Sequence, residues 1–132
     1  MAWAVLMSHA AGASVPKSAD IAVAVREGAV FRRHPASAEF LRNVNTPALE
    51  YAPAVSADLL ELFFTRATSL SDGAELAIYR SQRRSRDQPF GVPQRIASIT
   101  GHVEAPTLSA DGRSLYYHRL EDNRFVIYRV SR

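Results

Sequence analysis

The sequence predicts an all-β chain of antiparallel sheets, each built from one copy of an internal repeat. The first observation is a duplicated stretch. "EAPTLSADGRSLYYHR", residues 104–119, has a looser copy upstream in "EYAPAVSADLLELFFTR", residues 50–66. Pro53 matches Pro106, Ser56 matches Ser109, Asp58 matches Asp111, Leu62 matches Leu115 and Arg66 matches Arg119, each pair 53 positions apart. Phe63 and Phe64 stand where Tyr116 and Tyr117 stand. The second observation is a block that follows each copy: "AIYRSQR" ending at Arg83 and "VIYRVSR" ending at Arg132, 49 positions apart. Matching segments joined by a connection that changes length are the mark of a structural repeat. The third is composition. "LLELFF" and "SLYY" are short, apolar and aromatic, with turn residues before them, as strands are.

The elements follow in chain order. Residues 1–20 read as an N-terminal tail. "AWAVLM" followed by "AAGAS" is similar to the end of a secretory signal, but no Lys or Arg precedes Lys17, and a signal needs a positive start. A shortened signal is therefore the alternative to a plain tail. Residues 1–13 are the remaining helix candidate. Residues 21–49 form a partial unit of outer strands, with "IAVAVR" standing where "IYRSQR" stands later. "FLRNVNTPALEYAP" then leads into the first copy as "QRIASITGHVEAP" leads into the second. Residues 50–103 make a complete four-stranded unit, and residues 104–132 the first three strands of the next.

Periodicity alone lets "ADLLELFFTRA" pass as an amphipathic helix. Its copy "ADGRSLYYHRL" carries Gly, Ser and two Tyr, which are poor helix formers, so the strand reading stands. Adjacent aromatics put large apolar groups on both faces of one strand, and such a strand needs cover on both sides. "ADG" at Ala110–Gly112 is a tight-turn signal, with Asp accepting backbone bonds and Gly taking positive φ. The first copy has Leu59 at the glycine position, so either its turn differs or Leu59 is strained. Ser56, Asp58, Ser109, Asp111 and Gly112 are read as turn residues.

These residues together resemble the TolB-like, WD40-like β-propeller repeat of bacteria. The carriers are "P-x-L-S-A-D-G-R-x-L-Y-Y", the strand ending "IYRVSR", and a connection in which Pro89, Phe90, Gly91, Pro93 and Ile96 match the family's "PFGxPxxI". The resemblance covers residues 21–132, with Leu59 as a departure. It implies four-stranded blades arrayed around a channel. There is material for about two blades, so the chain is expected either to be a piece of a longer propeller or to complete a ring by assembly.

Composition narrows the function. The chain has 132 residues, 47% apolar and 22% charged, the size of one ordinary domain. No apolar run approaches 18 residues, so no membrane span is expected. The absence of cysteine removes disulfides, cysteine nucleophiles and thiolate metal sites, and suits either redox compartment. Net charge is +3 with pI 9.7, and arginines cluster at Arg80, Arg83, Arg84 and Arg86. No nucleic-acid motif accompanies them, so nucleic acid is not an expected partner.

Asp58 and Asp111 lie on separate units, too far apart in the repeat to act as an acid–base pair. His9, His34, His102 and His118 are scattered, none with metal-ligand spacing; His118 falls on a strand and is expected to be packed or at a rim. Neither Ser56 nor Ser109 sits in a nucleophile elbow. No catalytic residue, metal or cofactor is expected. The expected role is a non-catalytic scaffold that binds a protein or ligand through its loops. Its binding surface would comprise Arg83, Arg84 and Arg86 at a strand exit, and Asp122 and Asn123 in a hairpin. Arg66 and Arg119 either hold an anionic partner or pair with Glu61, Glu75 or Glu121. Apolar faces bearing Phe63 or Phe64 and Tyr116 or Tyr117 are expected to drive self-association. The alternative function is the substrate-binding portion of a secreted hydrolase acting on peptides or glycans, which rests on fold analogy. The expected location is periplasmic or extracellular, with the cytoplasm as the alternative.

Overall fold

The structure, a computed structural model, describes residues 2–8, 18–68 and 74–132. Its strands are β1 (Ala2–Ser8), β2 (Ser18–Glu27), β3 (Val30–Arg33), β4 (Leu49–Val55), β5 (Glu61–Ala67), β6 (Leu76–Gln82), β7 (Gln94–Arg95), β8 (Val103–Leu108), β9 (Ser114–Glu121) and β10 (Arg124–Ser131), with one helical turn, α1 (Ser37–Phe40). β4, β5, β6 and β7 run as an antiparallel meander, and β8, β9 and β10 form a separate antiparallel sheet. β5 is a strand throughout, so the helical period of "ADLLELFFTRA" is incidental. The helix candidate at residues 1–13 is corrected over its first part. Ala2–Ser8 is a strand paired with β2, and residues 9–13 lie outside the described residues, as does His9.

The 53-residue spacing carries into the strand register. β5 pairs β4 as Glu50↔Arg66, Tyr51↔Thr65, Ala54↔Phe63 and Val55↔Leu62. Adding 53 to each number gives the β8–β9 register: Val103↔Arg119, Glu104↔His118, Thr107↔Tyr116 and Leu108↔Leu115. Both strand pairs break register at the same place, beside Pro53 and Pro106. Proline has no N–H to give to a ladder, so a bulge is where a strand tolerates it. Ala52 and Ala105, just before those prolines, take φ of 50° and 55°. The next pairing repeats too: Phe64↔Tyr79 in the first sheet answers Tyr117↔Tyr128 in the second. The change in connection length falls between β5 and β6, where residues 69–73 lie outside the described residues. Between β9 and β10 the link is two residues, Asp122 and Asn123, with φ of 46° and 63°, as a tight hairpin of this hand requires.

The turns before β5 and β9 are built alike. Ser56 Oγ and Leu60 N–H donate to Asp58 Oδ1 at 2.5 and 3.0 Å, and Glu61 N–H donates to Ser56 Oγ at 2.9 Å. Ser109, Arg113, Asp111 and Ser114 reproduce this set at 2.6, 3.0 and 2.9 Å. Leu59 has φ 66° where Gly112 has 69°. The turn type is therefore shared, and Leu59 carries the backbone cost that glycine avoids.

Two cores lie on opposite faces of β5. Leu62 and Phe64 pack with Ile21 and Val23 of β2 and with Phe40, Leu41, Val44 and Phe90. Phe63 and Ile78 pack instead with Ile99, Val103, Leu115 and Tyr117, which joins the meander to the second sheet. The short helical turn α1 has no precedent in the repeat. Its region seals the edge of β2 between the stretches paired with β4 and β3. Ile21 and Asn45 exchange two hydrogen bonds at 3.0 and 2.9 Å, and Val23 N–H donates to Ser37 Oγ at 2.9 Å.

Gly112→Ala is expected to destabilise the chain by about 1 kcal/mol, the left-handed penalty of an L-residue. Space is not the cause, since the nearest atom to an added Cβ is Arg132 Nη2 at 3.4 Å. Urea unfolding of the variant against wild type measures it, and Asp111→Ala should lower the melting temperature by opening the same turn.

Candidate functional site

The second sheet lies over one face of the meander and leaves a cleft of about 350 Å³ at the end where β5 begins and β10 ends. Buried and half-buried apolar side chains line its inner part: Phe63, Ile96, Leu108, Leu115 and Val130. Arginines surround it: Arg80 from β6, Arg95 from β7, Arg113 from the turn before β9 and Arg132 after β10. Gln94, Ser98, Ser114 and Ser131 add polar groups to the lining.

One carboxylate organises this end of the stack. Glu61, only 8% exposed, accepts from Arg132 Nη1 and Nη2 at 3.0 and 2.6 Å and from Arg80 Nε at 3.0 Å. The Arg132 guanidinium, with Arg80 beside it, holds the Glu61 carboxyl down to about 2 against the opposing effect of burial. Arg132 thereby ties the second sheet to the first. Arg95 pairs with Glu75 at an exposed site. Arg113 has no ion pair among the described residues; its backbone is engaged, the N–H donating to Asp111 and the carbonyl accepting from Arg132 N–H.

A smaller neighbouring cleft of about 210 Å³ is lined by Ser56, Asp58, Asp111 and Gly112 with Glu61 and Arg132. The stacking thus brings the two turns to one rim, although the repeat places them on separate units. Their carboxylates are already committed. The Ser56 and Ser109 hydroxyls, followed by the Leu60 and Arg113 N–H groups, hold Asp58 and Asp111 below the usual carboxylate range.

The expected arginine surface is rearranged. Arg83 is 7% exposed, with its guanidinium 5.4 Å from the Phe40 ring centroid and 4.5 Å from that of Phe90. Its Nε donates to Leu59 O at 2.9 Å, while Nη2 is buried without a partner. Burial lowers its pKa. Arg83 is therefore part of the interior and not of a binding surface, because its flat cation finds two aromatic rings to lie against. Arg84 and Arg86 are exposed, and Arg86 Nε donates to Asp58 O at 2.9 Å. Asp122 and Asn123 are exposed at the far end of the second sheet, since Glu121↔Arg124 and Ser114↔Ser131 close opposite ends of the β9–β10 ladder. The structure does not bring that hairpin to the arginines.

Arg119 pairs with Glu121, as one reading expects. Arg66 pairs with none of Glu61, Glu75 and Glu121; it binds the fully buried Glu50 at 2.7 Å and Val44 O at 2.8 Å. Each also lies over the tyrosine of the next strand, Arg66 at 4.7 Å from Tyr79 and Arg119 at 3.9 Å from Tyr128. These two arginines are thus structural. His118 is half-buried with its ring 6.1 Å from Phe125, and His102 lies 6.3 Å from the same ring. No group of metal-ligating residues occurs among the described residues.

The outer face of the second sheet is open. Ile127, Phe125 and Tyr116 on it are 68%, 51% and 38% exposed. Phe63 and Phe64 are not exposed, which corrects that part of the expectation: both faces of β5 are covered, while β9 is covered on the Tyr117 side alone. Arg95 and Arg113 were not singled out by sequence, Arg132 was named only as the end of a repeat block, and Glu61 only as an alternative partner of Arg66 or Arg119. The signal available was a departure from the repeat, since Glu61 stands where the second copy has Ser114.

No protein-family model matches the chain, and no curated protein matches it. No described helix is long and apolar enough to cross a membrane.

Acid should loosen the stack. The Glu61 carboxyl is lower in the folded chain than its ordinary value of 4.5, so its stabilisation is present above that pH and is lost as pH falls toward 2. Glu61→Gln is expected to cost roughly 2 kcal/mol at neutral pH, a figure reduced for solvent at half-exposed Arg132. It should also flatten the acid limb of a melting-temperature profile between about pH 5 and 2.

Proposed function

We propose that this chain is a non-catalytic β-propeller repeat segment of about two blades that serves as a scaffold for a protein or ligand partner. The observation that carries the reading is the common register. The β4–β5 ladder moved by 53 residues gives the β8–β9 ladder, bulge and turn included. Two sheets with one hydrogen-bonding plan, stacked face on face, are what a blade array is made of. The recurring polar residues support a structural rather than a catalytic role: Ser56, Asp58, Ser109 and Asp111 serve their turns, and Arg66 and Arg119 serve ion pairs.

The partner surface follows from the same register. Phe63, Ile78 and Arg80 on the first sheet occupy the positions of Tyr116, Ile127 and Arg129 on the second, and the second sheet covers them. Among the described residues nothing covers the equivalent face on the second sheet, and β10 pairs with β9. The occupant is a second copy of this chain, because the chain already stacks a face of this composition against a sheet of its own.

Wild-type protein is expected to associate with rising concentration in sedimentation and light scattering, and the Phe125→Glu/Ile127→Glu double variant to remain monomeric. A monomeric wild type at high concentration overturns the docking face. Turnover in a screen of peptidase, esterase and glycosidase substrates that is lost on changing His102, His118, Asp58 or Asp111 overturns the scaffold reading.

A further inference from the structure

We infer that the cleft between the two sheets is a binding site for a small organic anion, an oxyanion head carried on an apolar body. Four arginines are among its lining residues; Arg80, Arg113 and Arg132 stand on the Phe63 or Leu115 side, and Arg95, opposite Tyr79, turns its guanidinium to Glu75. The carboxylates that answer them are Glu61, shared by Arg80 and Arg132, and Glu75, which holds Arg95. Arg113 is left without a carboxylate among the described residues, and the lining carries an excess of positive charge. A guanidinium fork matches carboxylate or phosphate oxygens in geometry as well as charge. Ser98 is a further polar residue of the lining, while the Ser114 and Ser131 hydroxyls face each other at 3.3 Å on the outer side.

The inner surface selects against a bare ion. Phe63, Ile96, Leu115 and Val130 present apolar area beneath the cations, and the volume of about 350 Å³ is that of a small-ligand pocket. An inorganic anion at the rim would leave this surface wet. A phosphate or carboxylate on an aromatic or aliphatic body meets both. The cleft is also well supported. Arg132 Nε donates to Gly112 O at 2.8 Å and its amino nitrogens bind Glu61, so one cation is fixed in position before any ligand arrives. A pre-positioned cation costs less ordering on binding. Arg113, by contrast, is exposed and free to close over the ligand head.

The site is separate from the self-docking face. Leu115 and Val130 point into the cleft side of the second sheet, while Tyr116, Phe125 and Ile127 lie on its outer side. Failure of one proposal therefore leaves the other to its own test.

Phenyl phosphate is the probe, titrated into the full chain by calorimetry, with inorganic phosphate and benzyl alcohol as separate arms. The expected result is saturable binding of one phenyl phosphate per chain, tighter than either arm and weakening as salt rises. Arg113→Gln is expected to weaken it about tenfold, the usual order for one charge-assisted contact. Ile96→Ser should weaken phenyl phosphate and leave inorganic phosphate unchanged. Both variants must keep the wild-type far-ultraviolet spectrum and melting transition, and Phe125→Glu/Ile127→Glu should bind as wild type does. Equal affinity for phenyl phosphate and inorganic phosphate overturns the inference. So does unchanged binding in Arg113→Gln, binding that Phe125→Glu/Ile127→Glu abolishes, or no saturation up to about 10 mM, a limit near the weakest specific affinities.

Discussion

Phe63 and Phe64 are neighbours on β5, and each points into a different core. Strand geometry makes this unavoidable, because successive side chains leave a strand on opposite faces. An aromatic on each face can be removed from water only if both faces of β5 are covered. The Phe64 side is covered by residues of β2, which belongs to the same sheet beyond β4, and by the segment around α1. The layer on the Phe63 side is supplied by β8, β9 and β10. The remaining architecture serves this condition: α1 allows the chain to cross over the Phe64 face, and the residues between β7 and β8 bring the second sheet around to the Phe63 face. Ile99 and Val103, both buried in that second core, mark the route.

The same backbone plan can hold side chains of different fate. Arg83 and Arg132 end equivalent strands and are anchored identically. Their backbone N–H groups donate to Leu60 O and Arg113 O, each at 3.0 Å, and their Nε atoms donate to Leu59 O and Gly112 O at 2.9 and 2.8 Å. Beyond the Nε atom they part. Arg83 meets Phe40 and Phe90 and is buried as a stacked cation. Arg132 meets Glu61 across the sheet interface and stays half in water. What lies over each strand end decides which, and that is a property of the neighbouring layer and not of the repeat. Glu61 illustrates the reverse case. It departs from the repeat, and it is the residue through which the second sheet is tied to the first.

Inside the stack, Arg80 is answered by Glu61 and the Phe63 face is covered. On the outer sheet, Arg129 has Ser114 where a carboxylate would stand, and Tyr116 and Ile127 have no layer above them. The outer face of the second sheet thus carries the apolar and cationic residue types that the first sheet buries at the equivalent positions.

The strands, their order in each repeat and their turn chemistry were legible in the amino-acid sequence. Turn bonds span five residues or fewer, so Ser56 with Asp58 and Ser109 with Asp111 carry their own instructions. The 53-residue register passes from sequence to ladder unchanged, because hairpin-linked strands pair with their neighbours. The short hairpin at Asp122 and Asn123 was legible for the same reason. The fate of the arginines was not. Nothing local distinguishes buried Arg83 from exposed Arg84, or assigns Arg66 to Glu50 rather than Glu61, since those partners are set by which layer lies above. The strand at Ala2–Ser8 escaped because its ladder is made with β2, a pairing that residues 1–13 do not encode by themselves. Local chemistry determined the sheets of this protein. The stacking of sheets, through contacts between residues far apart in the chain, decided which charges meet, which are buried and where the cleft opens.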